Sequence, residues 1–259
     1  AEKIVRSGLK FVGLSLDSVE PFIHNKSRGV SGVHKKVLRS IDELKKVRDG
    51  NPHIFINSLI MKKNLKELFK LVKLADNKNI EGITFQPIAP PDLFGSKYKR
   101  PYLNNFYQKI SDMMPNKIEG FISKFFNDIY EKKNREWFSK TDFWPNYENV
   151  EFVLDEIVKM KKNGYPVGNS FKDLNRFYDY FKDPLKFLEQ YECVACDSLT
   201  ITKNGKIKLC PKSSILGDIN KDNLFESLNR AKAEKVRRQI KNCRRTCKIL
   251  SINKDDFYF

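Results

Sequence analysis

Along the first ninety residues, apolar and polar positions alternate between two periods. Lys10 to Leu16 (KFVGLSL) is a short run rich in β-forming residues, bounded by Gly8 and the Asp17-Ser18 turn. From Gly32 to Val47 the apolar positions Val33, Val37, Leu38, Ile41, Leu44 and Val47 recur at helical spacing, with Lys and Arg between them. Asn51-Pro52 ends that helix, and His53 to Ile60 (HIFINSLI) reads as a second strand. Asn64 has the form of an N-cap, with Glu67 three residues later completing a capping pair. The helix it opens carries Leu65, Leu68, Phe69, Leu71, Val72 and Ala75, and Gly82 to Ile88 (GITFQPI) reads as a third strand.

Strands separated by single helices imply β-α-β units and a parallel sheet, hence a segment of a barrel or of a doubly wound sheet. Both architectures place their chemistry at the C-terminal strand ends. Here those ends bring forward Ser15, Asp17, Asn57, Ser58, Gln86 and Pro87.

The pattern changes twice more. Residues 92–190 are rich in aromatics, with helical patterning over Leu103 to Met113, Ile118 to Tyr130 and Val150 to Lys162. Trp137, Phe138, Phe143 and Trp144 lie between these segments and read as packing groups. From Cys193 onward, Ser198 to Thr202 and Lys206 to Leu209 flank Asn204-Gly205, a hairpin signature. Gly217 to Asn220 is expected to be a loop, and Leu224 to Ile240 a helix. The expected organisation is residues 1–115, the β-α-β segment of a barrel or doubly wound sheet; 116–190, a helical connector; and 191–259, a small Cys-rich α+β domain.

Composition narrows the classes. With 40% apolar residues and 20 Phe in 259 positions, the chain can bury enough surface to offset its ordering entropy, which excludes disorder. No stretch approaches the roughly 18 apolar residues of a spanning helix. The first apolar run, Leu9 to Leu16, is broken by Lys10 and Ser15 and has no cleavage-like tail, so a soluble, cytoplasmic protein is expected. The net charge is +17, spread along the chain except for Arg230 to Lys248, which holds nine basic residues against the single acid Glu234. Such a balance fits either a lysine-solvated surface or a nucleic-acid footprint.

The five cysteines, at 193, 196, 210, 243 and 247, all fall in the last 67 positions. Random placement would do this on the order of one time in a thousand. An odd count without an export signal argues against a disulfide framework and for metal binding. Cys193-x2-Cys196 and Cys210 surround the hairpin, and Cys243-x3-Cys247 follows a helix. Converging thiolates can hold a four-iron cluster or a zinc ion, and spacing alone does not choose between them.

Phe11 to Ser18 (FVGLSLDS), followed by His24 and Arg28-Gly29, resembles the fourth barrel strand and following loop of radical S-adenosylmethionine enzymes. His53 to Asn64 resembles their fifth strand, and Gly82 to Ile88 their sixth. The tail is similar to the auxiliary-cluster extensions called SPASM or twitch domains: a cysteine, a hairpin with Gly205-x4-Cys210, a Gly217 to Ile219 loop and a closing cysteine pair. The resemblance covers roughly residues 1 to 90 and 190 to 250. It implies a partial (β/α) barrel of radical SAM type followed by a helical connector and the Cys-rich domain. The implied cofactors are S-adenosylmethionine and an auxiliary 4Fe-4S cluster. Cofactor contacts are implied at Ser15, Asp17, Arg28, Asn57 and Gln86, and cluster ligands among Cys193, Cys196, Cys210, Cys243 and Cys247.

The chain departs from the family at one place: it contains neither the Cys-x3-Cys-x2-Cys loop nor a Gly-Gly-Glu-Pro type run. It is therefore expected to be the C-terminal part of such an enzyme and inactive as given, with no catalytic residue assignable. The family's reaction reduces the sulfonium by one electron and uses a 5′-deoxyadenosyl radical to abstract a substrate hydrogen. That implies a peptide or small-molecule substrate and an external electron donor such as flavodoxin or ferredoxin, with no membrane partner. Two other classes compete: a zinc-binding nucleic-acid-binding protein, and a non-catalytic metal-stabilised scaffold. The three histidines, His24, His34 and His53, lie far from the cysteines and do not complete a Cys2His2 pattern, which weighs against nucleic acid.

Overall fold

The computed structural model describes residues 1–90, 132, 135–139 and 141–243. The helices expected over Leu103 to Met113 and Ile118 to Tyr130 lie outside these residues, as do Arg244, Arg245, Cys247 and Lys248. The chain divides into two compact units, one of Ala1–Ile88 with Thr141–Lys182 and one of Ala89–Lys140 with Asp183–Phe259.

The first unit is built on a parallel sheet of β1 (Phe11–Ser15), β2 (His53–Ile60) and β3 (Gly82–Pro87), in the order β1-β2-β3. The three strands fall where the period-two runs place them. Its helices are α1 (Glu2–Arg6), α2 (Pro21–Arg28), α3 (Val33–Val47), α4 (Leu68–Asn77), α5 (Tyr147–Lys162) and α6 (Phe171–Lys182). Residues 141–182, part of the stretch read as connector, thus fold with the sheet.

Because the strands are parallel and in register, the side chains of paired residues share a face. One face carries Ile54, Ile56, Ile60, Ile83 and Phe85, all buried, with Val12 and Leu14 beside them. Helix α3 packs on β1, and α4 packs on β2, β3 and α5. Each fully buried branched side chain of this layer contributes roughly 1.5–3 kcal/mol. The opposite face carries Phe11, Gly13 and Ser15; His53, Phe55, Asn57 and Leu59; and Gly82, Thr84 and Gln86. Among the described residues, β1 has no strand on its other edge.

The outer edge of β3 is covered. Ile83 bridges Val167 in parallel, and its N–H and C=O bond Pro166 O and Gly168 N at 2.9 and 2.8 Å. One step along, the amide of Asn169 takes the place of a peptide group, accepting from Phe85 N at 2.6 Å and donating to Phe85 O at 3.0 Å. Trp144 packs against Tyr180 and Phe181 at 5.4 and 5.0 Å between ring centroids, and Tyr180 Oη donates to Ile88 O at 2.9 Å.

The second unit contains α7 (Pro184–Gln190), a 3-10 turn over Val194–Asp197, and an antiparallel sheet β4 (Thr200–Ile201), β5 (Lys206–Lys208) and β6 (Gly217–Asp218). Helices α8 (Leu224–Asn229) and α9 (Ala231–Lys241) complete it. The hairpin forms where Asn204-Gly205 places it, with Gly205 at φ 72 in the left-handed region. Two expectations are corrected. Gly217–Asp218 is a strand pairing with β5, not a loop, because Gly217 lets Asp222 and Ser227 approach closer than a Cβ would allow. Leu224 to Ile240 is two helices, broken where Arg230 turns extended at φ −71, ψ 155. Trp137 and Phe138 meet edge to face at 5.3 Å. No described helix is long and apolar enough to cross a membrane.

Candidate cofactor-binding face

Three of the five residues expected to touch a cofactor share the sheet face opposite Ile54, Ile56 and Ile60. Ser15 and Asn57 are register partners at the C-terminal end of β1 and in β2, and Gln86 partners Leu59 near the end of β3. Ser15 and Gln86 are exposed, and Asn57 is half-buried. Asn57 is oriented by its neighbours: its Oδ1 accepts from Thr84 Oγ1 at 2.6 Å, and its Nδ2 lies over Gly13, where a Cβ would overlap it. A side chain at position 13 would displace this amide. The result is a strip of hydroxyl and amide groups, Ser15, Asn57, Thr84 and Gln86, across the three strands. Such groups can hydrogen-bond a ribose, a carboxylate or a base edge.

Asp17 and Arg28 are used differently. The Asp17 side chain is 1% exposed and is a structural hub. Its Oδ1 accepts from Arg28 Nη2 at 2.8 Å and Leu59 N at 3.1 Å; its Oδ2 accepts from Ser27 Oγ at 2.9 Å and lies 2.8 Å from Arg28 Nε. With its carboxylate enclosed this way, Asp17 ties β1, β2 and α2 together. Arg28, implied as a cofactor contact by the resemblance, is paired with the Asp17 carboxylate. An arginine fork satisfied by one buried carboxylate has little left for a second.

Asn64 is likewise no helix cap: its side chain makes no capping bond to the turn that follows. It is fully buried, donating from Nδ2 to Asp17 O and Leu59 O at 2.7 Å each and accepting from Met61 N at 2.9 Å. This amide joins the strand ends that frame the polar strip. His24 belongs to the same junction, its Nδ1 accepting from Asp17 N at 3.1 Å. Burial, aided by Arg28 and His34 and opposed by Asp17, holds the His24 imidazole below its ordinary pKa of 6.5.

Thr84 was missed in the sequence because a threonine inside a strand is unremarkable. Its partnership with Asn57 depends on register, for which sequence spacing carries no signal. At the other end of the sheet, Glu81 accepts from Arg48 Nη1 at 2.8 Å and Ile54 N at 2.6 Å. Burial alone would raise the Glu81 carboxyl, but these donors outweigh it and hold it below 4.5.

In the tail, Cys193 and Cys196 are buried in one apolar cluster with Ile207, Leu209, Leu216, Ala233, Val236 and Ile240, and Cys210 packs on its margin. Cys210 Sγ accepts from Lys212 N at 3.4 Å. Burial lowers Lys208 from its ordinary value, while the nearby Cys210 acts against that shift. Cys193, Cys196, Cys210 and Cys243 form no disulfide. Among the described residues no three His, Cys, Asp or Glu side chains are gathered as metal donors. The chemistry of the thiols suits an iron–sulfur group, but the described residues define no ligand set for one.

No protein-family model matches the chain. It is 34% identical over 211 residues to the probable GTP 3′,8-cyclase of Sulfolobus acidocaldarius, across 81% of this chain and 52% of the cyclase. The chain therefore spans about half the length of the curated relative it matches. Among solved structures it is similar to native anSMEcpe with bound AdoMet, at 17% identity over 90% of this chain and 54% of that chain, with a TM-score of 0.45. The same protein with bound AdoMet and Kp18Cys peptide gives 17% identity over 91% and 54%, with a TM-score of 0.44.

Proposed function

We propose that this chain is part of a radical S-adenosylmethionine enzyme, in which the sheet face with the polar strip receives the cofactor and the tail thiols hold an auxiliary 4Fe-4S cluster. One observation carries the reading. Ser15, Asn57, Thr84 and Gln86 form a polar strip across three parallel strands, with Asn57 fixed in place by Thr84 and Gly13. The 34% identity to a GTP 3′,8-cyclase supports the same family.

When bound and reduced, S-adenosylmethionine supplies a carbon radical able to abstract a substrate hydrogen. The residues of this chain bind and orient. Ser15 offers a hydroxyl and Gln86 an amide to the cofactor's polar groups, while Asn57 keeps its Nδ2 for the ligand because Oδ1 is taken by Thr84. Asp17, Arg28 and Asn64 position this strip by locking the strand ends. The tail assignment rests on thiolate chemistry and the paired spacings Cys193-x2-Cys196 and Cys243-x3-Cys247, with Cys210 between. The relative's name points to a nucleotide as substrate, and Lys208 and Lys212 beside Cys210 supply charge that would attract one. The electron would come from an external donor such as flavodoxin or ferredoxin.

Calorimetric titration of the 259-residue chain with S-adenosylmethionine tests the reading. Binding weakened about tenfold or more by Asn57→Ala, and little changed by a surface variant such as Lys36→Ala, is the expected result. No heat, or equal affinity in the Asn57 variant, would contradict it. The chain alone is expected to form no 5′-deoxyadenosine with dithionite, since it has no Cys-x3-Cys-x2-Cys loop.

A further inference from the structure

Helix α2 and the first turn of α3 bury two imidazoles, His24 at 0% and His34 at 7% exposure. Both Nε2 atoms are buried without a hydrogen-bond partner, and the rings meet edge to face with centroids 5.9 Å apart. Because His24 Nδ1 accepts the Asp17 N–H, the neutral ring carries its proton on Nε2. The carboxylate of the same residue lies close by, with Asp17 Oδ2 3.8 Å from Nδ1. Asp17 therefore presents His24 with two competing groups: a backbone N–H that requires the neutral ring, and a carboxylate that favours the charged one. The charged and titratable groups around the ring are Asp17 from the β1–α2 loop, Arg28 from α2 itself and His34 from α3.

We propose that His24 is an acid-sensitive latch on the β1–α2 loop. A proton taken from solvent at Nδ1 removes the acceptor of the Asp17 N–H and turns the Asp17 carboxylate toward the ring. That movement draws the carboxylate away from Arg28 and from the Leu59 amide. No covalent bond changes, and the proton is the only species taken up. Two consequences follow. The junction that holds Leu59 beside the polar strip loosens, and the Arg28 guanidinium, with 31% of its side chain already exposed, becomes able to bind an anion. The latch acts whatever ligand the sheet face takes.

The sign follows from burial. The folded state holds the His24 pKa below 6.5, so the unfolded chain binds the proton first as pH falls. The stability contributed by neutral His24 is fully present above about 6.5 and is lost from there downward. Within that window, one extra proton raises the unfolded-to-folded ratio by up to about tenfold per pH unit.

The test is a pH titration of the ring ¹⁵N and backbone amide NMR signals, on a chain with only three histidines. His24 should be the Nε2–H tautomer at neutral pH and titrate below 6.5, and the Asp17 and Leu59 amides should shift with its midpoint. His24→Asn keeps an acceptor at the Nδ1 position but does not titrate, so both amides should lose that transition. An Nδ1–H tautomer, a midpoint at or above 6.5, or the same amide transition in His24→Asn would overturn the proposal. If His24→Asn does not fold, the wild-type titration decides alone: amides that fail to follow the His24 ring refute the latch.

Discussion

Replacing Asn64 separates a helix cap from a strand-end clasp, because the two roles respond oppositely to aspartate. A cap tolerates Asn→Asp, and its removal costs about 1 kcal/mol. In this structure the Asn64 Nδ2 donates to the carbonyls of Asp17 and Leu59, and its Oδ1 accepts from Met61 N, all within a fully buried site. Asn64→Ala removes three hydrogen bonds and strands one buried N–H and two carbonyls. At about 1 kcal/mol for each bond, and more where the stranded group stays dry, the loss comes to roughly 3–5 kcal/mol. Asn64→Asp is expected to cost at least as much, since a carboxylate replaces the donor that faces two carbonyl oxygens. Urea unfolding followed by circular dichroism measures both variants, with the linear slope checked for change. A neutral Asn64→Asp together with a loss of about 1 kcal/mol in Asn64→Ala would refute the clasp and restore the cap.

Three further outcomes follow from other sites. Because Arg48 and Ile54 hold the Glu81 carboxyl below 4.5, the stability it contributes is present above that value and lost as pH falls through the lower folded value; Glu81→Gln should flatten the acid limb of a stability–pH curve, and an unchanged limb would contradict the pairing. Anaerobic reconstitution should load about four irons per chain, and Cys210→Ala should abolish uptake; stoichiometric zinc with no iron would contradict the cluster. Oligonucleotide binding at physiological salt should be no tighter than about micromolar, and nanomolar, sequence-selective binding lost on changing Arg237 and Arg238 to Ala would favour a nucleic-acid function instead.

How far the sequence reaches depends on the range of the interaction that decides each feature. The three parallel strands and helices α3, α4 and α5 lie where local periodicity places them, since each buries one face along its own length. The polar strip was partly visible, because Ser15 and Gln86 sit near strand ends, which the β-α-β order identifies in advance, and Asn57 lies within β2. Arg28 was not, because its partner Asp17 is eleven residues away and is brought to it only by the turn into α2. Asn64 followed by Glu67 satisfies the pattern of a cap while its side chain reaches back 47 residues, and no local rule separates the two. β6 is two residues long, too short for any alternation to register. The cysteine pattern was plain, but the ligand set depends on how the thiols converge, which spacing does not fix.

The proposed seat of S-adenosylmethionine is the sheet face that carries Ser15, Asn57, Thr84 and Gln86. Amide chemical-shift mapping during a titration with S-adenosylmethionine tests it residue by residue. The largest shifts are expected at Ser15, Asn57, Thr84 and Gln86, with Arg28 still paired to Asp17 at neutral pH. Shifts centred on Arg28 and α2, or no shift at the strand ends, would contradict it.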